Sequence, residues 1–170
     1  MALLAKNNIQ FITVGGLAVA ANGFVRATVD VDILVQSSKE NLEKLVGVLA
    51  TFGEGYAGEL KPEELIQETG STRICEHFDI DIFTKMKGKT YEDFLPNSKT
   101  TTVYGQAIRY LNPQQLIELK KGSYREKDVL DVLAMKRVLA EENQTQKEKA
   151  AEKSFFMWVK QCLNRIFGMI

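Results

Sequence analysis

The stretch VGGLAVAANGFVRATVDVDILV, Val14 to Val35, constrains this chain more than any other. It places two aspartates, Asp30 and Asp32, one residue apart inside an apolar, β-branched run. A buried, unpaired carboxylate costs on the order of several kcal/mol, or shifts its pKa until it is neutral. Residues two apart on a strand leave the same face, so these two acids stand side by side and repel each other. A cation is expected to visit such a site.

The surrounding pattern gives the acids a setting. Gln10 to Val14 reads as a strand ending on Gly15-Gly16, Leu17 to Asn22 as a short helix stopped by Gly23, and Val29 to Val35 as a second strand. On that strand Val29, Val31, Ile33 and Val35 face one side, and Asp30, Asp32 and Leu34 the other. The apolar run from Phe11 to Ala21, with Ala18-Val19-Ala20, also imitates a secretory leader and its cleavage site. Only Lys6 precedes it as a basic side chain, and the glycine pair interrupts its centre, which favours strand, turn and helix.

Downstream, Ser37 opens a helix with Glu40 as the partner of a capping box, and Leu42, Leu45, Val46 and Leu49 follow at helical spacing until Gly53. A short polar helix starts near Pro62. Thr72 to Thr84 is a strand region with acids at Asp79 and Asp81, and Thr101 to Leu111 is a strand pair or one bent strand. Asn112-Pro113 caps a helix that stops at Gly122, and a second helix runs from about Tyr124 to Glu142. Residues 143–153 are charged and polar, a solvated helix or linker, and the tail SFFMWVKQCLNRIFGMI forms an amphipathic helix.

The expected architecture is α/β (α+β): a small mixed sheet with helices on one side, then a C-terminal helical pair and a tail helix. The expected divisions are 1–111, 112–142 and 143–170. A length of 170 residues with 45% hydrophobic content supports one domain with an appendage. Lys and Arg balance Asp and Glu at 22 each, which gives no global attraction to nucleic acid. Cys75 and Cys162 form no framework and point to a reducing, cytoplasmic compartment. No apolar run has the length of a membrane span, and no membrane partner is expected.

If the strand bearing Asp79 and Asp81 lies beside the one bearing Asp30 and Asp32, three or four carboxylates converge. Such an oxygen-only set suits Mg²⁺ or Mn²⁺, and ions held this way assist phosphoryl or nucleotidyl displacement. Gly15-Gly16, between strand and helix, lets backbone N–H groups approach a phosphate.

Gly15-Gly16 followed by Arg26, Thr28, Asp30 and Asp32, in the order GG…RxTxDxD, resembles the nucleotidyltransferase superfamily with the polymerase-β-like fold. Further on, Leu116 to Lys120 (LIELK), Arg125, Lys127-Asp128 and Asp131 resemble the branch that holds AbiEii-type toxins and minimal nucleotidyltransferases. The resemblance spans roughly Gln10 to Arg137. It implies Mg²⁺ or Mn²⁺ and a nucleoside triphosphate, with Asp30 and Asp32 as metal ligands. It also implies a third, catalytic and metal-binding acid on a central strand. Asp81, in IDIF, matches that context best, and Asp79 competes with it. Gly15, Gly16, Arg26, Thr28, Lys120 and Arg125 are then the nucleotide-binding candidates, with Lys121 as an alternative to Lys120. Many members carry Gly-Ser where this chain has Gly-Gly.

Other residues have plainer readings. Asp128 and Asp131 are expected on a helix face, either solvated or paired with Arg125 or Lys127. Arg73 is expected to pair with Glu76, His77 to lie on the surface, and Cys75 to fill a small core position. The function expected is metal-dependent transfer of a nucleoside monophosphate from an NTP to a hydroxyl of tRNA, a protein or a small molecule, as in a toxin-type enzyme. The alternative is a non-catalytic partner protein of the same fold. The tail helix is expected to bury Trp158 in a protein contact: on its own domain, in a homodimer, or with an antitoxin.

Overall fold

The computed structural model describes residues 1–167, with side chains through Trp158. Six strands form one mixed sheet: β1 (Phe11–Thr13), β2 (Asp30–Val35), β3 (Thr72–Cys75), β4 (Asp79–Phe83), β5 (Ser98–Val103) and β6 (Gln106–Leu111). Their spatial order is β3-β4-β2-β1-β6-β5. β2 lies parallel to β4 and β1 parallel to β6, while β1–β2, β3–β4 and β5–β6 are antiparallel. The fold class is the mixed α/β arrangement expected. The helices are α1 (Ala2–Lys6), α2 (Gly15–Ala21), α3 (Lys39–Leu49), α4 (Tyr91–Phe94), α5 (Pro113–Lys120) and α6 (Glu126–Phe167).

Strand alternation divides the core between the two faces of the sheet. Phe11, Ile33, Val35, Ile80 and Ile82 pack with Leu4 of α1 and with Leu42, Leu45 and Leu49 of α3. On the opposite face Ile12 and Leu34 pack with Ala18 and Val19 of α2, Phe94 of α4, Leu116 of α5 and Met135 of α6. α1 and α3 thus share one side, and α2 sits on the other with the C-terminal pair rather than with them. Burying a side chain such as Leu42 or Ile82 contributes roughly 1.5–3 kcal/mol, so each face holds its helices independently. Asn41, buried within the first face, is fully used: it accepts from Gln10 N and donates to the carbonyls of Gln10 and Gln36, tying α3 to the ends of β1 and β2.

Local signals place most boundaries, with some shifts. The α3 cap is Ser38, whose Oγ accepts from Asn41 N at 3.4 Å, and not Ser37. Asn112 Oδ1 accepts from Gln115 N at 2.9 Å and starts α5, with Pro113 in its first turn. The segment at Pro62 is a single 3₁₀ turn, Pro62–Leu65. Thr101 to Leu111 belongs to a strand pair, β5–β6, turned at Tyr104-Gly105 with both residues at positive φ. α4 had no expected counterpart. Cys75 is exposed rather than a core residue, because the register that buries Ile74 points its neighbours outward.

The C-terminal region departs most from expectation. The second helix of the pair does not end near Glu142. It continues as one 42-residue helix, about 63 Å long at 1.5 Å per residue. Its first third packs on the domain through Asp131, Ala134 and Met135. Every residue from Asn143 to Trp158 is exposed, and Trp158 itself keeps 60% of its surface. Docking of this part on the chain's own domain is therefore not what the fold contains. The remainder of the expected apolar face, Val159, Cys162, Leu163, Ile166 and Phe167, lies outside the described side chains. Among the described residues, no helix is long and apolar enough to cross a membrane.

Since no side chain from Asn143 to Trp158 packs on the domain, deleting everything after Glu142 should leave the melting temperature unchanged. Exposed positions without such contacts typically matter by less than about 0.5 kcal/mol. Thermal melts of the two lengths check this; a large drop would mean that the helix has a docking site on the domain.

Candidate active site

The parallel register of β2 and β4 builds the site. Asp30 pairs with Asp79 and Asp32 with Asp81. All four leave the sheet on the side of α2, α5 and α6, because the intervening Val31, Ile33, Ile80 and Ile82 belong to the opposite apolar face. One carboxylate oxygen from each of Asp30, Asp32 and Asp81 lies within 4.8 Å of the other two. Asp79 stands outside this triad.

The three acids have different surroundings. The Thr28 hydroxyl donates to Asp30 Oδ1 at 2.7 Å and holds the Asp30 carboxyl below the ordinary aspartate range. Burial, and then the neighbouring charges of Asp30 and Asp81, push Asp32 up. Asp81 is only 5% exposed. It accepts a two-point contact from Arg73, Nε to Oδ1 at 3.0 Å and Nη2 to Oδ2 at 2.5 Å, and a third bond from Ser71 Oγ at 3.1 Å. Arg73 also reaches Asp79 Oδ2 at 3.0 Å, and its guanidinium is pushed further toward the charged form. Arg73 thus pairs across the β3–β4 hairpin with Asp81, not with Glu76, whose carboxylate instead accepts from Glu54 N.

The glycine pair is required by the acids. Gly15 has φ +57°, and a Cβ there would stand 1.9 Å from Asp32 Oδ2. A Cβ on Gly16 would stand 2.8 Å from Thr28 Oγ1 and 3.3 Å from Arg26 Nη2. The backbone at Gly15-Gly16 therefore approaches the acids as closely as it can without a side chain.

Opposite the triad the cleft is walled by cations. Its volume is about 350 Å³, and Arg26, Lys120, Arg125 and Lys127 line it together with the triad and Arg73. Arg26 and Lys120 are held by two buried carboxylates of α6. Arg26 grips Asp131 at 2.6 and 2.8 Å. Lys120 Nζ lies 3.0 Å from Asp131 Oδ2 and 2.5 Å from Asp128 Oδ1, and Ser123 Oγ donates to Asp128 at 2.7 Å. Burial pushes Asp131 up, but the hydrogen bonds from Arg26 and Lys120 outweigh it and hold its carboxyl below the ordinary range. Asp128 and Asp131 are thus neither solvated nor paired chiefly with Arg125 or Lys127. Arg125 stays mostly in solvent, 3.7 Å from Asp128. Lys120, not Lys121, faces the cleft.

The residues singled out from sequence therefore meet in one place. Asp30, Asp32 and Asp81 form the triad, Gly15 and Gly16 its floor, Thr28 its hydrogen-bond donor, and Arg26, Lys120 and Arg125 the opposing wall. Ser71, Lys127 and the paired roles of Arg73, Asp128 and Asp131 were missed. Arg73 alone had a usable signal: it alternates with Ile74 opposite the DID strand of a hairpin. Three carboxylate oxygens this close, with a glycine cleared of its side chain beside them, fit a hard divalent cation by donor chemistry.

No protein-family profile matches the sequence, and no curated protein matches it. Two solved structures are similar in outline. One is an antigenic nucleotidyltransferase-like protein from Paracoccidioides brasiliensis, with TM-score 0.47, 14% identity, and 87% of this chain and 85% of that chain covered. The other is a candidate nucleotidyltransferase from Thermotoga maritima, with TM-score 0.43, 15% identity, and 88% of this chain and 89% of that chain covered. Both similarities lie below the level at which likeness of fold carries an activity with it.

Asp131 is fully buried between two cations, so Asp131→Asn leaves Arg26 without its acid and Lys120 with Asp128 alone, and should cost about 3–5 kcal/mol near neutral pH. A carboxyl held below its unfolded pKa contributes stability above that pKa and loses it as pH falls through the folded value. The destabilisation by Asp131→Asn should therefore shrink on acidification, which denaturant melts of both proteins across pH will read out.

Proposed function

We propose that this chain is a metal-dependent nucleotidyltransferase that moves a nucleoside monophosphate from an NTP to a hydroxyl acceptor. The observation that carries the reading is the triad of Asp30, Asp32 and Asp81 facing a wall of cations across one cleft. Mg²⁺ or Mn²⁺ held by the triad would supply the positive charge that lets a polyphosphate lie against three carboxylates.

The chain's own residues divide the remaining work. Arg26 and Lys120 are fixed by Asp131 and Asp128 and so meet a triphosphate already oriented, with little entropy left to lose. With its Nε and Nη2 committed to Asp131, Arg26 offers phosphate oxygens its charge and its remaining N–H groups, and Lys120 a point charge. Arg125 and Lys127, more exposed, add to the attraction. The backbone of Gly15 and Gly16 lies in the same cleft. Asp81, held at both oxygens by Arg73, completes with Asp30 the acid edge at which the acceptor hydroxyl is oriented for in-line attack on the α-phosphorus. Pyrophosphate then leaves toward the cations. The acceptor is tRNA, a protein side chain or a small molecule. A toxin-type role in the cytoplasm, with an antitoxin or a second copy on the projecting end of α6, is part of the same reading.

Asp30→Asn and Asp32→Asn should each abolish transfer while leaving stability unchanged or improved, since neutralising one acid relieves repulsion in the triad. Asp81→Asn should do the same to transfer, whereas Asp79→Asn should leave it largely intact. Incubation with four α-labelled triphosphates and Mg²⁺ tests this; transfer retained in both Asp30→Asn and Asp32→Asn sinks the assignment. A ligand that binds only the folded chain raises its melting temperature by mass action. No shift with Mg²⁺ and any triphosphate would favour the non-catalytic partner protein instead.

A further inference from the structure

Asp30 belongs to two clefts. One is the cation-lined cleft described above. The other, about 590 Å³, opens on the far side of Asp30 at the rim where β2 and β4 begin. Its apolar members are Leu17, Val29, Val31 and Phe78. Its polar members besides Asp30 are Thr28, His77 and Asp79. No Lys or Arg lines it, and of its two carboxylates Asp79 is paired with Arg73, so its uncompensated charge is that of Asp30.

The apolar part is a built surface. The Phe78 ring packs on Phe52 with centroids 5.4 Å apart, and His77 meets the same Phe52 ring edge-on at 6.0 Å. Phe78 is nonetheless 41% exposed, and Val29, directly beside Asp30, is 82% exposed. A β-branched side chain left in water next to a catalytic carboxylate does nothing for the core. It does offer a contact to whatever lies over Asp30.

A nucleotidyl transfer brings two reactants to the same carboxylates, and they make opposite demands. The triphosphate is a polyanion and matches the cation-walled cleft. A nucleic-acid acceptor would carry a phosphate at every nucleotide and would need cations along its path. The second cleft offers it no Lys or Arg and sets Asp30 against it. We infer that this cleft is the acceptor subsite, and that it takes a phosphate-free hydroxyl compound, uncharged or cationic, with an apolar or aromatic face. This rests on the transferase reading above and narrows its acceptor. In the transfer, the acceptor oxygen forms a bond to the α-phosphorus and the α–β anhydride bond breaks. Pyrophosphate departs into the cationic cleft, and the hydroxyl proton passes to a triad carboxylate or to water.

The test uses the full chain with Mg²⁺, α-labelled triphosphates and two probe acceptors offered in turn. N-acetyltyrosinamide is an uncharged aromatic hydroxyl; an RNA oligonucleotide with a free terminal hydroxyl is the polyanion. Asp30-dependent labelling of N-acetyltyrosinamide is expected. Val29→Ser combined with Phe78→Ala should lower kcat/KM roughly tenfold through the acceptor KM, with the nucleotide-induced rise in melting temperature unchanged. Asp30-dependent label on the RNA and not on the phenol would overturn the acceptor inference and leave the transferase reading standing. Phenol labelling that the double variant does not weaken would likewise overturn it. No label on either probe, together with no nucleotide-induced rise, would remove the transferase reading and the acceptor subsite with it.

Discussion

Three carboxylates within 4.8 Å of one another repel, and the rest of the site is arranged around that repulsion. The sheet cannot relax it, because the parallel pairing of β2 with β4 fixes Asp30, Asp32 and Asp81 on one face. A slip of one residue would put the acids into the apolar face and Val31 and Ile80 into the cleft, at the cost of the whole α1–α3 core. The relief comes instead from side chains: the charge of Arg73 on Asp81 and a hydrogen bond from the Thr28 hydroxyl to Asp30.

The cations opposite do not collapse onto the triad. Arg26 and Lys120 are each held by a second tier of acids, Asp128 and Asp131, on α6. Charge therefore alternates across the cleft: acids, cations, acids. The second tier keeps two positive groups facing the triad without satisfying it, and so preserves a place where a cation and a polyanion fit together. It also gives Lys120 a structural role beside the proposed contact with the triphosphate. Removing its charge leaves Asp128 and Asp131 underpaired, so Lys120→Ala should lower stability along with nucleotide affinity, and the ratio of the two losses separates the roles.

What the sequence made legible follows physical range. The alternation of Asp30 and Asp32 with β-branched neighbours is a local pattern, and it placed the acids on the correct face. The caps at Asn112 and Pro113 are local too. The Arg26–Asp131 pair joins residues 105 apart in sequence, and nothing local marks it. The β3–β4 hairpin was read as one strand region because its turn, Glu76-His77-Phe78, lacks the usual glycine or asparagine. Without the turn there was no register, and without the register Arg73 appeared to belong to Glu76. The extent of α6 was obscured for a different reason. Polar residues from 143 to 153 are compatible with a solvated helix and a linker alike, since an exposed helix has no apolar stripe to announce it.

The second glycine of the pair is explained by what stands beside it. A Cβ at position 16 would approach Thr28 Oγ1 to 2.8 Å. The Thr28 hydroxyl thus already stands where a serine side chain at 16 would extend, and it is committed to Asp30 at 2.7 Å. A serine at 16 would have to displace the Thr28 side chain from this position. The hydroxyl present here stands at the strand entry, where it orients a carboxylate. In the proposed transfer, phosphate contact falls to the backbone of Gly15-Gly16 and to Arg26 and Lys120, the two cations that α6 holds in position.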